Sequence, residues 1–288
     1  IEHVLKDVAK LDGVDHLVTT HWHTDHYGGV EGLAKRVPIR KFWDRGLPED
    51  SDPPGGASRF PDGPKPDDPL GVAYRRASQG RRQVLKAGSK LPLKGEIEAV
   101  VLASGAEVIG ASGQAPNPLC SSAPADKAAD TSDNAKSLAV RFRMGPFSFL
   151  DCGDLTWNVE KSLVCPVDLI GPIEVFQVTH HGLDSSNHPT LVQTIKPTLA
   201  ITNNGPRKGG SAATYRLLKS IPSIQAIYQL HKNLATGADD NAPSERIANA
   251  DPKGGQFIRL SVAPDGKSYR VRIGADGPTQ EFETRGNP

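Results

Sequence analysis

The chain has 288 residues and a formal net charge of +1. Such a length buries a sizeable core, as one large domain or two modest ones, and the near-zero charge gives no global field that selects nucleic acid or a membrane surface. No run reaches the ~18 apolar residues of a membrane span, and 29 Gly and 24 Pro with 6% aromatic residues point to long ordered loops on a regular scaffold.

Residues 1–11 read as a helix with Val4, Leu5, Val8 and Leu11 on one face. A buried strand, Leu17-Val18-Thr19-Thr20, runs straight into His21. Gly28-Gly29 lets the backbone turn tightly into a short helix that ends near Arg36, and Ile39 to Trp43 reads as the next strand. Residues 44–68 hold eight Pro and Gly residues between Pro53 and Pro66 and seven acids, which predicts a long irregular loop. Residues 69–94 carry Arg75, Arg76, Arg81, Arg82, Lys86, Lys90 and Lys94 and no acid. Part of this stretch reads as a helix with a solvated basic face, and phosphate binding is the minority reading.

Strands are expected at 97–103 and 106–111, followed by a polar, Pro-rich loop at 112–133. Two more strands, Ser137–Phe142 and Phe147–Asp151, join at a Gly145-Pro146 turn. Helices are expected at 156–164, 189–195 and 211–220, and strands at 173–179, 198–202 and 224–230. Residues 256–284 read as a β-hairpin or meander turning at Asp265-Gly266. The reading is thus α/β, with one domain over 1–250, loop insertions at 44–95 and 112–133, and a C-terminal β extension over 251–288.

The chemistry concentrates in His21-Trp22-His23-Thr24-Asp25-His26, an HxHxDH pattern. Four ligand-type side chains fall within six residues, directly after an apolar strand. Imidazole and carboxylate suit zinc and related divalent ions. One short loop cannot wrap a single ion with all four groups, but two ions can share them, His21 and His23 on one, Asp25 and His26 on the other. A surface His-rich tract is the bland alternative, and the position after a buried strand argues against it. Two further strands end in ligand types. Phe147–Asp151 leads through Cys152-Gly153 to Asp154, a carboxylate placed to bridge two ions. Val175–Thr179 leads to His180-His181-Gly182, of which one histidine can complete a shell while the other orients a ligand or meets substrate. Asp151 reads as a capping acid.

This order of motifs resembles the metallo-β-lactamase superfamily, and within it the branch of the competence-protein hydrolase domain and the phosphorylcholine esterase. The likeness extends to Asn134-Ala135-Lys136-Ser137-Leu138 and to Ile201-Thr202-Asn203-Asn204-Gly205, and covers about residues 14–230. It implies an αββα sandwich with two divalent ions, zinc first and manganese second, at one edge of the two sheets. It implies His21, His23, Asp25, His26, Asp154 and one of His180 and His181 as ligands. Two departures stand out. An N-terminal strand pair usual in the superfamily is missing before His21, and the extra histidine many members carry is absent, since residues 27–179 contain none.

The expected activity is hydrolysis by a metal-activated water, on phosphodiesters by branch resemblance, with a lactone, ester or β-lactam as the alternative and a metal-binding scaffold without turnover as the other class. Asp25 is the expected proton acceptor, and one of His180 and His181 the donor to the leaving group. Asn203, Asn204, Arg207 and Lys208, on a loop with Gly205, Gly209 and Gly210, are the expected substrate contacts, against a plain surface turn. A small-molecule or phosphodiester partner is favoured over nucleic acid.

No CxxC pair occurs among Cys120, Cys152 and Cys165, which argues against a zinc ribbon. Cys120 lies in a Pro-rich loop and Cys165 at a helix end, both places where a loop can be pinned, whereas Cys152 suits a buried strand position. A Cys120–Cys165 bond would mean an oxidising compartment, periplasmic or secreted, with a signal segment lost upstream of Ile1. Three reduced thiols in the cytoplasm are the competing reading.

Overall fold

The computed structural model describes residues 1–50 and 62–285. Three sheets are present among them. The first is parallel and joins β1 (Val14–Val18), β2 (Ile39–Asp44) and β3 (Arg82–Val84). The largest contains β4 (Lys90–Leu91), β5 (Ile97–Ser104), β6 (Glu107–Val108), β7 (Ala139–Met144), β8 (Phe147–Asp151), β9 (Val175–Gln177), β10 (Leu199–Thr202), β11 (Ala226–His231) and β12 (Ile247–Asn249). Its order is β12-β11-β10-β9-β8-β7-β5-β4, with β6 paired to β5. From β8 to β12 the neighbours are parallel, and on the β7 side they are antiparallel. The third sheet is the antiparallel meander β13 (Ile258–Val262), β14 (Ser268–Ile273) and β15 (Thr279–Glu283).

Side-chain alternation explains the layering, since successive residues of a strand face opposite sides. In the large sheet Val100, Leu150, Phe176, Ala200 and Ile227 point to one face, where they pack with Leu155, Leu163, Leu191, Ile195 and Leu218. Those partners come from or flank α4 (Trp157–Ser162), α5 (Pro189–Ile195) and α6 (Ala212–Ser220). The opposite face is shared. Ala99, Val101 and Val140 meet Val18 and Trp43 of the first sheet, while Phe147, Val175, Leu199 and Tyr228 meet Tyr269, Val271 and Phe282 of the meander. Outside the first sheet, Ile39 and Phe42 pack with Trp22, Tyr27, Val30 and Tyr74. These lie on or beside α1 (Thr24–Tyr27), α2 (Val30–Ala34) and α3 (Pro69–Ser78). The order helix, sheet, sheet, helix is the four-layer sandwich expected.

Local chemistry sets the helix starts. Pro69 opens α3 behind Asp68, whose carboxylate accepts from Gly71 N at 2.6 Å. Ser211 caps α6 by accepting from Thr214 N. The 112–133 loop is held to the helical layer. Asn117 Nδ2 donates to Val164 O at 2.9 Å, Lys127 Nζ sits 3.7 Å from the centre of the Trp157 ring, and a disulfide joins Cys120 to Cys165. Cys152 is a buried free thiol on the strand side. The three-thiol alternative is set aside by this geometry.

Some expectations are corrected. The N-terminal helix is a single wide turn, Val4–Val8, with no residue buried, and Leu11 is exposed. Apolar spacing was present there, and it leaves Val4, Leu5 and Val8 only half-buried, with Val4 and Leu5 lining an open groove that Phe257 and Ile273 also line. Gly28 and Gly29 both take right-handed φ, −60° and −88°, so the turn does not use glycine's conformational freedom. Gly28 instead lacks room, because a Cβ there would stand 2.6 Å from Thr24 O. The expected strand 106–111 shrinks to the two residues of β6. Of the expected 44–68 loop, residues 51–61 lie outside the described residues. Among the described residues, no helix is long and apolar enough to cross a membrane.

Candidate metal centre

The histidine motif occupies the end of β1. Thr19 N donates to Trp43 O and Leu138 N donates to Thr20 O, so this stretch is stitched to both sheets just before the chain turns. Trp22 then points away from its neighbours. It is buried in the outer helical core, its Nε1 donates to Gly46 O at 2.9 Å, and its backbone N donates to Asp133 Oδ2 at 2.6 Å. With Trp22 anchored outward, His21 and His23 face the opposite side. Asp133 is itself fixed by a buried ion pair with Arg45.

Asp154 is the hub. The turn after β8 passes through Gly153 at φ +53°, where a Cβ would come within 2.8 Å of the Thr20 Cβ. Only glycine fits both the left-handed backbone and the close approach. Asp151 caps the turn by accepting from Gly153 N at 2.8 Å. Asp154 is buried, and its Oδ2 lies 3.6 Å from His21 Nε2, 3.3 Å from His26 Nε2, 3.6 Å from His180 Nε2 and 3.4 Å from His181 Nε2.

The two histidines after β9 reach this point through strained backbone. His180 and His181 sit at φ +54° and +55°, a region L-residues rarely adopt, followed by Gly182 at φ +78°. The strain is held by the loop 205–211. Gly210 N donates to His181 O at 2.7 Å, and Ser211 N donates to Gly182 O at 2.9 Å. A Cβ on Gly209 would meet His181 O at 2.2 Å.

The donor set suits cations. His21 Nε2, His26 Nε2 and His181 Nε2 are buried and accept or donate no hydrogen bond, although orphaned buried polar atoms are costly. Their separations from Asp154 exceed a good hydrogen bond but match the spacing of atoms gathered round an ion. His181 Nδ1 donates to Asn203 O at 2.9 Å, which fixes the tautomer and leaves the Nε2 lone pair free. Two groups emerge, each with ligand atoms within 4.8 Å of one another: His21, His23 and Asp154, and Asp25, His26 and His181. These residues fit a pair of divalent ions.

Residues 6–124 match the family model described as metallo-beta-lactamase superfamily. With the four-layer sandwich, this decides the fold. The chain has the metallo-β-lactamase fold. Solved structures similar to it include CmlA, a diiron β-hydroxylase from Streptomyces venezuelae, at 17% identity over 66% of this chain and 35% of that chain, TM-score 0.40. A variant of CmlA is similar at 16% identity over 77% of this chain and 44% of that one, TM-score 0.49. The metallo-β-lactamase fold protein YhfI from Bacillus subtilis is similar at 8% identity over 75% and 74%, TM-score 0.39. The chain thus spans less than half the length of the CmlA structures. A search of curated proteins found no match.

Electrostatics in this metallo-β-lactamase-fold site favour the neutral imidazole at His21 and His180 and the ionised carboxylate at Asp25 and Asp154, and act the other way at His181. Burial, and then the neighbouring His26, hold His21 down at about 2. Burial works to raise Asp154, but the imidazoles of His181 and His26 outweigh it and keep the carboxyl well below its usual range. Asp25 shows the same balance, with burial opposed by Lys208 and a net position of about 2. Burial lowers His180, whereas the Asp154 carboxylate raises His181.

The expected substrate contacts separate. Lys208 reaches Asp25 Oδ2 in an ion pair, and His181 Nε2 lies 3.2 Å from the same oxygen. Arg207 and Asn203 are exposed, and Asn203 serves the site through its backbone carbonyl. Asn204 is a correction. It is buried, and its Nδ2 donates to Gly205 O at 3.1 Å and His231 O at 2.7 Å, so it shapes the loop and offers nothing to a substrate. Three supporting residues escaped the sequence reading: Asp133 behind Trp22, and Ser185 and Ser186, whose hydroxyls lie 3.2 and 3.1 Å from His180 Nδ1. Asp133 reaches Trp22 across 111 residues, whereas Ser185 and Ser186 lie only five and six residues past His180 in a Ser-Ser pair that no metal-ligand pattern marks.

Proposed function

We propose that this chain is a metal-dependent hydrolase that turns over phosphodiesters. The observation that carries the reading is the convergence of three unpartnered buried Nε2 atoms around one buried carboxylate. His21, His23 and Asp154 would hold one ion and Asp25, His26 and His181 the other, with Asp154 shared; zinc suits these donors best and manganese is the second choice. When bound, such a pair supplies a water that ionises near neutral pH and positive charge for the substrate oxygen.

The protein groups divide the remaining work. Asp25 is anionic and is the proton acceptor nearest the exposed side. His180, held at Nδ1 by the two serine hydroxyls, keeps the Asp154 carboxylate oriented. Lys208 stands at the Asp25 edge, where its ammonium can neutralise an anionic oxygen of the substrate, and the exposed Arg207 beside it can do the same. The disulfide supports a periplasmic or secreted location for the protein.

The test is a panel assay of metal-reconstituted protein on bis-p-nitrophenyl phosphate, p-nitrophenyl esters, lactones and nitrocefin. Phosphodiester turnover is expected, with KM raised at least about tenfold in a Lys208→Ala, Arg207→Ala double variant and little change on a neutral ester. Lactone or nitrocefin turnover without phosphodiester turnover moves the chain to the other hydrolase class. Full metal loading with no turnover on any member makes it a scaffold.

A further inference from the structure

The carboxylate of Asp25 is approached from two sides. Its Oδ2 lies 3.2 Å from His181 Nε2 and 3.8 Å from His26 Nε2, the two imidazoles grouped with it as donors to one ion. The Lys208 ammonium is ion-paired to that same oxygen. Asp25 and Lys208 stand 183 residues apart in the chain, so the fold makes this contact and no local motif does.

The loop that carries Lys208 holds its backbone in place. Gly205 N donates to Lys208 O at 2.8 Å, and the next two residues, Gly209 and Gly210, take φ of +77° and +60°. Gly210 N donates to His181 O at 2.7 Å, which fastens the loop to the histidine segment itself. The Lys208 backbone is therefore fixed relative to His181. Its side chain is not, being 57% exposed on a flexible four-carbon stem that can swing away from Asp25. The charge at the end of that stem is felt inside the donor set, where it disfavours the protonated forms of both His180 and His181.

Two cations cannot use one oxygen at full strength. An ion held by Asp25, His26 and His181 would draw on Asp25 Oδ2, the oxygen that faces both imidazoles, and would stand beside the ammonium. Like charges around one oxygen repel, and the repulsion grows where burial thins the solvent. Leaving is easy for Lys208, because an ammonium at an exposed position regains its hydration and gives up only a surface ion pair.

We propose that Lys208 competes with this ion for Asp25. The lysine thereby sets how tightly the group of Asp25, His26 and His181 holds its ion, and filling that group releases the ammonium toward an anionic oxygen of the substrate. The inference rests on the two-ion reading of the site and deepens the role given there to Lys208, since metal loading and readiness for an anionic substrate become one event.

The other role open to Lys208 is support, in which its ammonium orients Asp25 for the ion by bonding the second lone pair of the oxygen. The two roles have opposite signs. Lys208→Met removes the charge and keeps an unbranched side chain, whereas Lys208→Arg keeps the charge. Metal-stripped wild type and both variants are titrated with Zn²⁺ in the presence of a competing chelator. In Lys208→Met one of two binding steps should tighten at least about tenfold with the other unchanged, while both steps of Lys208→Arg stay within about threefold of the wild type. Unchanged affinities in Lys208→Met, a weakened step there, or equal tightening in both variants overturns the competition. Fewer than two ions in all three proteins removes the two-ion reading itself.

Discussion

At single residues, burial decides which protonation state exists, and Glu160 shows this away from the metal centre. Its carboxyl is fully buried, and its Oε2 accepts from His188 N at 2.8 Å. Burial raises it to about 7 from an ordinary 4.5, against the opposing pull of the His188 and Asn187 amides and the Thr179 hydroxyl. The folded state therefore keeps a proton that the unfolded chain releases near pH 4.5. The stability linked to that proton is fully present below pH 4.5 and is lost as pH rises to about 7, a total of roughly 3 kcal/mol for the whole shift. Glu160→Gln retains the acceptor and removes the linkage. The gap in unfolding free energy between variant and wild type should grow in the variant's favour from pH 4.5 to 7.5, as measured by urea titration at each pH. A constant gap across that range would mean Glu160 does not carry the linkage.

At the level of elements, each ligand segment follows a strand that sequence alone displays. Leu17-Val18, Phe149-Leu150 and Val175-Phe176 are apolar runs that end in His21, Asp154 and His180-His181. Their alternation is what packs the helices on one face and the first sheet or meander on the other. These features were legible because a buried strand leaves a period of two in the chain. β3, β4 and β12 were not, being only two or three residues long, too short to show a period. Asp133 was hidden for a different reason. Its carboxylate accepts from Trp22 N across 111 residues and pairs with Arg45, and no local pattern encodes that approach. The 112–133 loop was partly readable, because a cysteine in a Pro-rich stretch suggests a pin. The Cys120–Cys165 bond closes a chain separation of 45 residues, for which the loop-entropy estimate is roughly 4 kcal/mol. A Cys120→Ser, Cys165→Ser double variant should lose up to about that much stability while keeping its metal content, since neither cysteine touches the ligand set. Unreduced, unfolded wild type should titrate with one thiol, Cys152. Three thiols would show the bond does not form.

Across the whole molecule, the site lies where the first sheet, the parallel strands β8 to β10 and three loops meet. Each layer supplies something the others cannot. The first sheet presents the HxHxDH motif with Trp22 locked outward, β8 delivers Asp154 through Gly153, and β9 delivers two histidines on strained backbone held by the 205–211 loop. The meander contributes at a distance. Arg285 and Thr198 bond Glu174 beside β9, which steadies the strand that leads to His180. Convergence of this kind stores cost in unpartnered nitrogens and left-handed histidines, and on the proposed reading a pair of cations would offset it. The most direct measurement of that claim is metal content per chain by elemental analysis, on wild type and on Asp154→Ala purified in parallel. The account predicts close to two divalent ions in the wild type and loss of most of both from the variant, since Asp154 faces the histidines of each group. A wild type free of metal after purification in its presence, or an Asp154→Ala protein that keeps two ions, would contradict it.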